Sequence, residues 1–236
     1  MSGREVEGAT TPDDSGLDAR DGRKRTSNGA GVRVTARRLA RLARLDLDVL
    51  DEVRDQPEGL PASIAVLVGG LATLGAGGWA WWLFSGLGDA RGVLLRSVVL
   101  GTAFGVALWL AWMLVAYAVL QHVAEAPRVD SMLRTAGFAS ASLVLGALMI
   151  VPPIAFAAGV LALAAWVQLT QEALQRATGA SGSAVLLANL AGFAVWAAGM
   201  SILATADNQL APGPFLAESI WEAVTGFDAA RAIVGG

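Results

Sequence analysis

TAGFASASLVLGALMIVPPIAFAAGVLALAAWVQL, residues 135 to 169, is a run of 35 residues without one ionisable side chain. A helix needs about 20 apolar residues to cross the hydrocarbon core of a bilayer, so this run is too long for one crossing. Pro152 and Pro153 sit near its middle. Proline removes an amide donor and turns its predecessor away from helical geometry. The reading is a tight connection between two crossings, 135–151 and 154–169, in preference to one long kinked helix.

Working outward, three further runs have the length of single crossings. The first, 62–84, lies between Pro61 and the turn Gly86-Leu87-Gly88-Asp89. The second, 97–120, carries Trp109, Trp112 and Tyr117 toward its end, where amphipathic rings favour the headgroup layer. The last, 184–204, follows the polar stretch Gln171 to Ser183 and stops before Asp207-Asn208. The predicted fold is therefore all-α, an integral membrane bundle of five transmembrane helices over 58–206, preceded by an amphipathic helix.

Composition agrees. Of 236 residues 55% are hydrophobic and 16% charged, against roughly 25% charged in an ordinary soluble domain. Twenty-three of the 37 charged residues fall within the first 58 positions, which leaves the rest nearly bare. A net charge of −3 argues against nucleic-acid binding through a general basic surface. With no cysteine, disulfides, thiolate chemistry and palmitoylation are excluded. A single Lys24 beside sixteen Arg, with abundant Ala and Gly, points to a GC-rich prokaryotic genome.

Residues 1–32 lack a periodic apolar pattern and read as a disordered polar tail. Nothing before position 60 resembles the apolar core of a signal peptide, so the expectation is an N-terminus that is not cleaved for export. Residues 33–57 read as an amphipathic juxtamembrane helix or helix pair. Leu39, Leu42, Ala43, Leu50 and Val53 recur on one face, Arg37, Arg41 and Arg44 on the other, and Asp46 interrupts. A basic helix of this kind suits the surface of an anionic membrane, each Arg contributing about 1 kcal/mol. The same pattern also fits a solvated helix packed on the bundle. At the other end, Leu216, Ile220, Ala223, Phe227, Ala230 and Val234 fit a short surface helix within a tail over 207–236.

Orientation follows from basic residues. With the N-terminus inside, fourteen Lys or Arg lie on the inner side and three, Arg91, Arg96 and Arg231, on the outer. The positive-inside rule then gives a plasma-membrane protein with a cytoplasmic N-terminus and an extracytoplasmic C-terminus.

Chemistry is sparse. No ionisable residue lies well inside any run, so the usual mark of a proton relay or ion path is missing. Asn189, with Thr73 and Thr102, has the character to line a polar cavity or, as such residues more often do, to hydrogen-bond between helices. His122, the lone histidine, stands beside Glu125 at a membrane boundary, more a place for an interfacial residue than for a catalyst. Glu172 and Arg176 have helical ion-pair spacing. Gly101 and Gly105 form a GxxxG pattern, and Gly69, Thr73 and Gly77 a small-residue stripe; both permit close helix approach, as the Pro152-Pro153 break permits a tight turn. No catalytic, metal or cofactor set is expected.

Residues 45 to 204 resemble the Yip domain, the Ypt/Rab-interacting family of multipass membrane proteins, in its prokaryotic branch. Asp46-Leu47-Asp48-Val49-Leu50-Asp51-Glu52-Val53-Arg54-Asp55 resembles the acidic helix before that family's first crossing. Leu133-Arg134-Thr135-Ala136-Gly137-Phe138-Ala139 resembles the opening of its third, and Ile150-Val151-Pro152 the break before its fourth. Trp166, Gln171-Glu172-Ala173 and Ser183-Ala184 resemble the end of the fourth and the inner loop that follows. Ser142 and Pro153-Ile154-Ala155 depart from the family's pattern. The resemblance implies a non-enzymatic membrane protein; eukaryotic relatives act with small GTPases in vesicle traffic, a context a prokaryotic chain lacks. The expected role is membrane organisation or scaffolding, with the bilayer, anionic lipids, and a homo-oligomeric or other membrane-protein partner as company. The competing expectation is a permease for an uncharged solute, built around Asn189 and the broken 135–169 region.

Overall fold

The computed structural model describes residues 31–85, 90–122 and 128–205. The polar tail up to residue 30, the C-terminal tail from 206 and Glu125 lie outside them. The chain divides into two compact units at Leu45/Asp46. In the first, residues 31–42 are helical and 43–45 form a turn, with Leu45 at φ 62°. A positive φ at a branched residue ends a helix, so the apolar face read from Leu39 to Val53 does not run along one helix. Of the two readings, the pair of short helices is the one observed.

The second unit holds the short helix Asp48–Arg54 and five helices long and apolar enough to cross a membrane: Pro57–Phe84, Arg91–Leu120, Val129–Ile150, Pro152–Thr178 and Ser183–Leu203. No strand occurs among the described residues. The protein is an all-α, multipass, membrane-embedded bundle. Its surface carries large aliphatic side chains, among them Leu114, Val144, Leu187 and Ile202, and its inside mixes tryptophan, leucine and methionine with alanine, serine and closely approached glycines. An aliphatic outer surface suits a lipid solvent, and small residues inside let the helices pack closely.

Several helices outrun their apolar runs: the first starts at Pro57 and the second at Arg91, and the third and fourth take in charged residues. The third helix begins at Val129, and its first turns carry Asp130 and Arg134. The fourth continues through Gln171 and Glu172 to Thr178, where Gly179 at φ 68° closes it with its amide on the Gln175 carbonyl. Glycine is the residue that takes this left-handed cap without strain. Val151 is extended at φ −92°, ψ 103° and the exposed Pro152-Pro153 pair opens the turn into the fourth helix. These prolines therefore serve the connection, and do not pack between helices.

The third helix changes winding on its way. Val129–Ala139 is α-helical, and Ser140–Ile150 is an eleven-residue 3₁₀ helix, in a geometry that rarely exceeds three or four residues. With three residues per turn, Ser140, Leu143, Gly146 and Met149 fall in one line, and these four are its buried residues. That line packs on the first helix. A Cβ on Gly70 would meet the Ser140 carbonyl at 2.6 Å, and one on Gly146 would meet the Leu74 Cα at 2.9 Å. Gly77 faces the Gly146 carbonyl still more closely. The close-approach stripe is therefore Gly70 and Gly77, whereas Gly69 has nothing within 4 Å, and the Thr73 hydroxyl donates back to the Gly69 carbonyl at 2.7 Å. The second helix pairs with the fifth, the third with the fourth, and the fourth with the fifth.

Gly77→Ala is expected to lower stability in detergent by about 2 kcal/mol, the scale of core overpacking. Gly69→Ala should be neutral or stabilising by up to about 1 kcal/mol, because alanine is the better helix former. Thermal unfolding of the two purified variants reads the difference.

Candidate functional site

Because successive crossings alternate in direction, the starts of the first, third and fifth helices share one end of the bundle with the ends of the second and fourth. Most charge among the described residues of the second unit gathers there. Arg54, the last residue of the Asp48–Arg54 helix, donates from Nη1 to the carbonyl of Arg176 at 2.9 Å and grips Asp55 with Nε and Nη2 at 2.8 and 3.2 Å. Arg134 donates from Nη2 to the carbonyl of Arg54 at 2.8 Å. Arg176 reaches Asp51 through Nη1. Each of the first two arginines thus caps a carbonyl at a helix C-terminus, where the backbone dipole favours a cation.

The ring ties three segments far apart in sequence. Asp51 and Arg176 are 125 residues apart, Arg134 and Arg54 eighty. The spacing of Glu172 and Arg176 implied a local pair, but Arg176 turns to Asp51 instead, because the Asp48–Arg54 helix lies against the fourth helix. The two hydroxyls nearby also bridge helices: Ser131 donates to the Ala177 carbonyl at 3.4 Å and Thr135 to that of Ala173 at 3.3 Å.

Arg134 and its carboxylate sit at different depths. Arg134 is 3% exposed, whereas its partner Asp130, with Oδ2 2.7 Å from Nη1, is 50% exposed. That contact is ionic and misses the direction of a hydrogen bond, and the Nε of Arg134 has no hydrogen-bond partner among the described residues. A cleft of about 470 Å³ opens beside it, with Arg54, Arg128, Arg134 and Arg176 in its wall and Asp55 as the lining carboxylate. The Arg54 fork holds the Asp55 carboxyl below its ordinary range, mainly through the hydrogen bond and with added attraction from Arg54 and Arg134; the Arg54 guanidinium moves up for the same reason. On another face of the third helix, between it and the second, an apolar groove of about 220 Å³ is lined by Leu110, Leu114, Tyr117, Val129 and Leu133.

Compared with known proteins, this chain matches no family model, no curated sequence and no solved structure.

At mid-length the bundle is aromatic. Trp112 meets Trp166 edge to face with ring centres 5.0 Å apart, Trp166 meets Trp196 at 5.1 Å, and Phe193 stacks on Trp196 at 5.8 Å. Trp109 and Trp112 are fully buried. The expectation that they sit in the headgroup layer is wrong: Gly192 lets the fifth helix close on Trp112, and the ring leaves the lipid face. The Trp196 indole donates to the Gly105 carbonyl at 3.2 Å, while Gly105 itself touches Leu71 of the first helix. Gly101, one turn earlier, is buried.

Asn189 is buried and donates from Nδ2 to the Val167 carbonyl at 3.0 Å. That bond joins two helices, while Oδ1 is buried with no partner among the described residues. His122 is exposed and its Nδ1 lies 2.8 Å from the Ala118 carbonyl in its own helix. In the first unit, Arg37 and Arg41 stand one turn apart on the helix, and Arg44 falls in the turn after it. Sequence reasoning missed the arginine ring; its signal was the lone Arg134 and Arg176 at the same end of two crossings as the acidic helix.

Arg134→Ala is expected to cost about 2 kcal/mol, through loss of a charged hydrogen bond to a buried carbonyl, while Asp130→Ala should cost less than about 1 kcal/mol because that pair is half in solvent. Detergent unfolding curves compare them. For Asp55 the folded pKa is depressed, so its contribution is complete above the unfolded value of about 3.9 and is lost as pH falls through the lower folded value. An acid titration of the melting temperature should therefore be flatter in Asp55→Asn than in the unaltered protein.

Proposed function

We propose that this protein is a non-enzymatic membrane-organising scaffold rather than a permease. The aromatic packing at mid-length carries the reading. A permease keeps its substrate site near the bilayer midplane, at broken helices with exposed polar groups; here that depth holds Trp112, Trp166, Phe193 and Trp196 in mutual contact. Asn189, the residue best placed for a polar site, spends its amide donor on Val167. The break at Pro152-Pro153 lies at the end of a crossing instead of within one.

The Yip-like order of elements supports the same role: an acidic helix, then five crossings, with a break before the fourth. In this reading the basic Arg37, Arg41 and Arg44 segment lies on an anionic leaflet, the N-terminus is cytoplasmic, and the partner is a second copy or another membrane protein. Reconstituted in liposomes, the protein should leave the permeability to glycerol and urea at the protein-free level. Saturable uptake lost in Asn189→Leu would replace the scaffold with a transporter. A peptide of residues 33–55 should bind phosphatidylglycerol vesicles, and replacing the three arginines by Gln should weaken it about a hundredfold, at about 1 kcal/mol each.

A further inference from the structure

We propose that a second copy of this chain docks on the lipid-facing side of the fourth helix, parallel to its counterpart, with the two Gln168 amides hydrogen-bonded to each other. Within the five crossings Gln168 is the one exposed side-chain amide among the described residues, and it makes no hydrogen bond to any of them. Its depth makes that costly. Gln168 follows Val167, whose carbonyl accepts the buried Asn189 amide at 3.0 Å. It lies one turn deeper than Glu172 and two turns deeper than Arg176, about 6 and 12 Å along the axis. Acyl chains offer an amide neither donor nor acceptor, so a polar group turned toward them at that depth calls for a protein partner.

The chemistry of the group selects the partner. An amide side chain carries both donor and acceptor, so two of them related by a two-fold axis satisfy each other. Two copies inserted in the same direction share an axis along the membrane normal; the same helix then meets itself in parallel, and Gln168 faces Gln168 at equal depth. A different protein would have to supply an amide at that one level. The surroundings fit the same axis. Ala157, Leu161, Ala164 and Gln168 are all exposed and follow at spacings of four, three and four residues, the pattern of a seam between two parallel helices. The two alanines leave room for close approach, and one polar residue in an apolar seam fixes its register. Glu172 flanks the line one turn nearer the charged end and makes no ion pair among the described residues, Arg176 being turned to Asp51; set against its counterpart, it opposes the contact. The inference deepens the second-copy reading given above. A chain that stays monomeric while glycerol and urea permeability remains at the protein-free level would remove the contact and leave the scaffold standing.

The chain has no cysteine, so single introduced cysteines report on one position at a time. The full chain carrying Ala164→Cys should form a disulfide-linked dimer when its native membranes are oxidised, whereas Leu187→Cys, exposed on the fifth helix, should stay monomeric. Affinity is read by energy transfer between copies labelled with donor or acceptor dyes at Ser181→Cys, in the loop after the fourth helix, as phosphatidylcholine liposomes are diluted in protein. Gln168→Leu should weaken the dimer about tenfold, through loss of two interhelical hydrogen bonds. Gln168→Asn, which keeps donor and acceptor, should hold most of the affinity, and Glu172→Gln should raise it. The detergent unfolding midpoint of Gln168→Leu should stay at or above that of the unaltered protein, which separates lost docking from lost folding. Unchanged energy transfer in Gln168→Leu would overturn the amide contact. Cross-linking at Leu187→Cys in place of Ala164→Cys would overturn the face, and capture of a different protein by Ala164→Cys would overturn the second copy as its occupant.

Discussion

Hydrocarbon offers no partner for a peptide amide, so each crossing must close its hydrogen bonds within itself and find its neighbours by fit. The contact between the first and third helices meets that demand at its limit. Gly70, Gly77 and Gly146 remove side chains where backbone meets backbone, and the rest of the bundle is arranged around that contact. Once the third helix is fixed against the first, its other face presents Thr135 and Ser131 to the fourth. The fourth then brings Trp166 to Trp112 and Trp196, and Arg176 to Asp51.

The five crossings were legible because length and lack of charge decide them and neither depends on what packs where. The double proline was equally plain, since its effect on Val151 is local. Other features were hidden for physical reasons. The third helix starts six residues before its apolar run because Arg134, charged as it is, finds carbonyl and carboxylate partners at the end of the bundle; hydropathy prices the charge and cannot see the partners. Trp109 and Trp112 were read as interfacial from the preference of indole for headgroups, yet small residues such as Gly192 admit them to the interior. The ring of Arg54, Arg134 and Arg176 joins positions eighty or more residues apart, and no periodicity records such a meeting. Gly69 and Thr73 misled because small residues mark a close approach only on the face that has a neighbour.

The two ends and the middle of the bundle have different chemistry. At mid-length the bundle is joined by contact between large aromatic rings. The arginine end is held by charged hydrogen bonds to helix C-termini and by ion pairs with Asp51, Asp55 and Asp130.

The 3₁₀ winding of Ser140–Ile150 bears on how this bundle can relax. Rewinding eleven residues to the α form would shorten the segment by about 5 Å and carry its far end round by more than half a turn, since rise falls from about 2.0 to 1.5 Å and the step from 120° to 100°. Such rewinding would take Ser140, Leu143, Gly146 and Met149 out of line, so the close approach at Gly70, Gly77 and Gly146 goes with the overwound form.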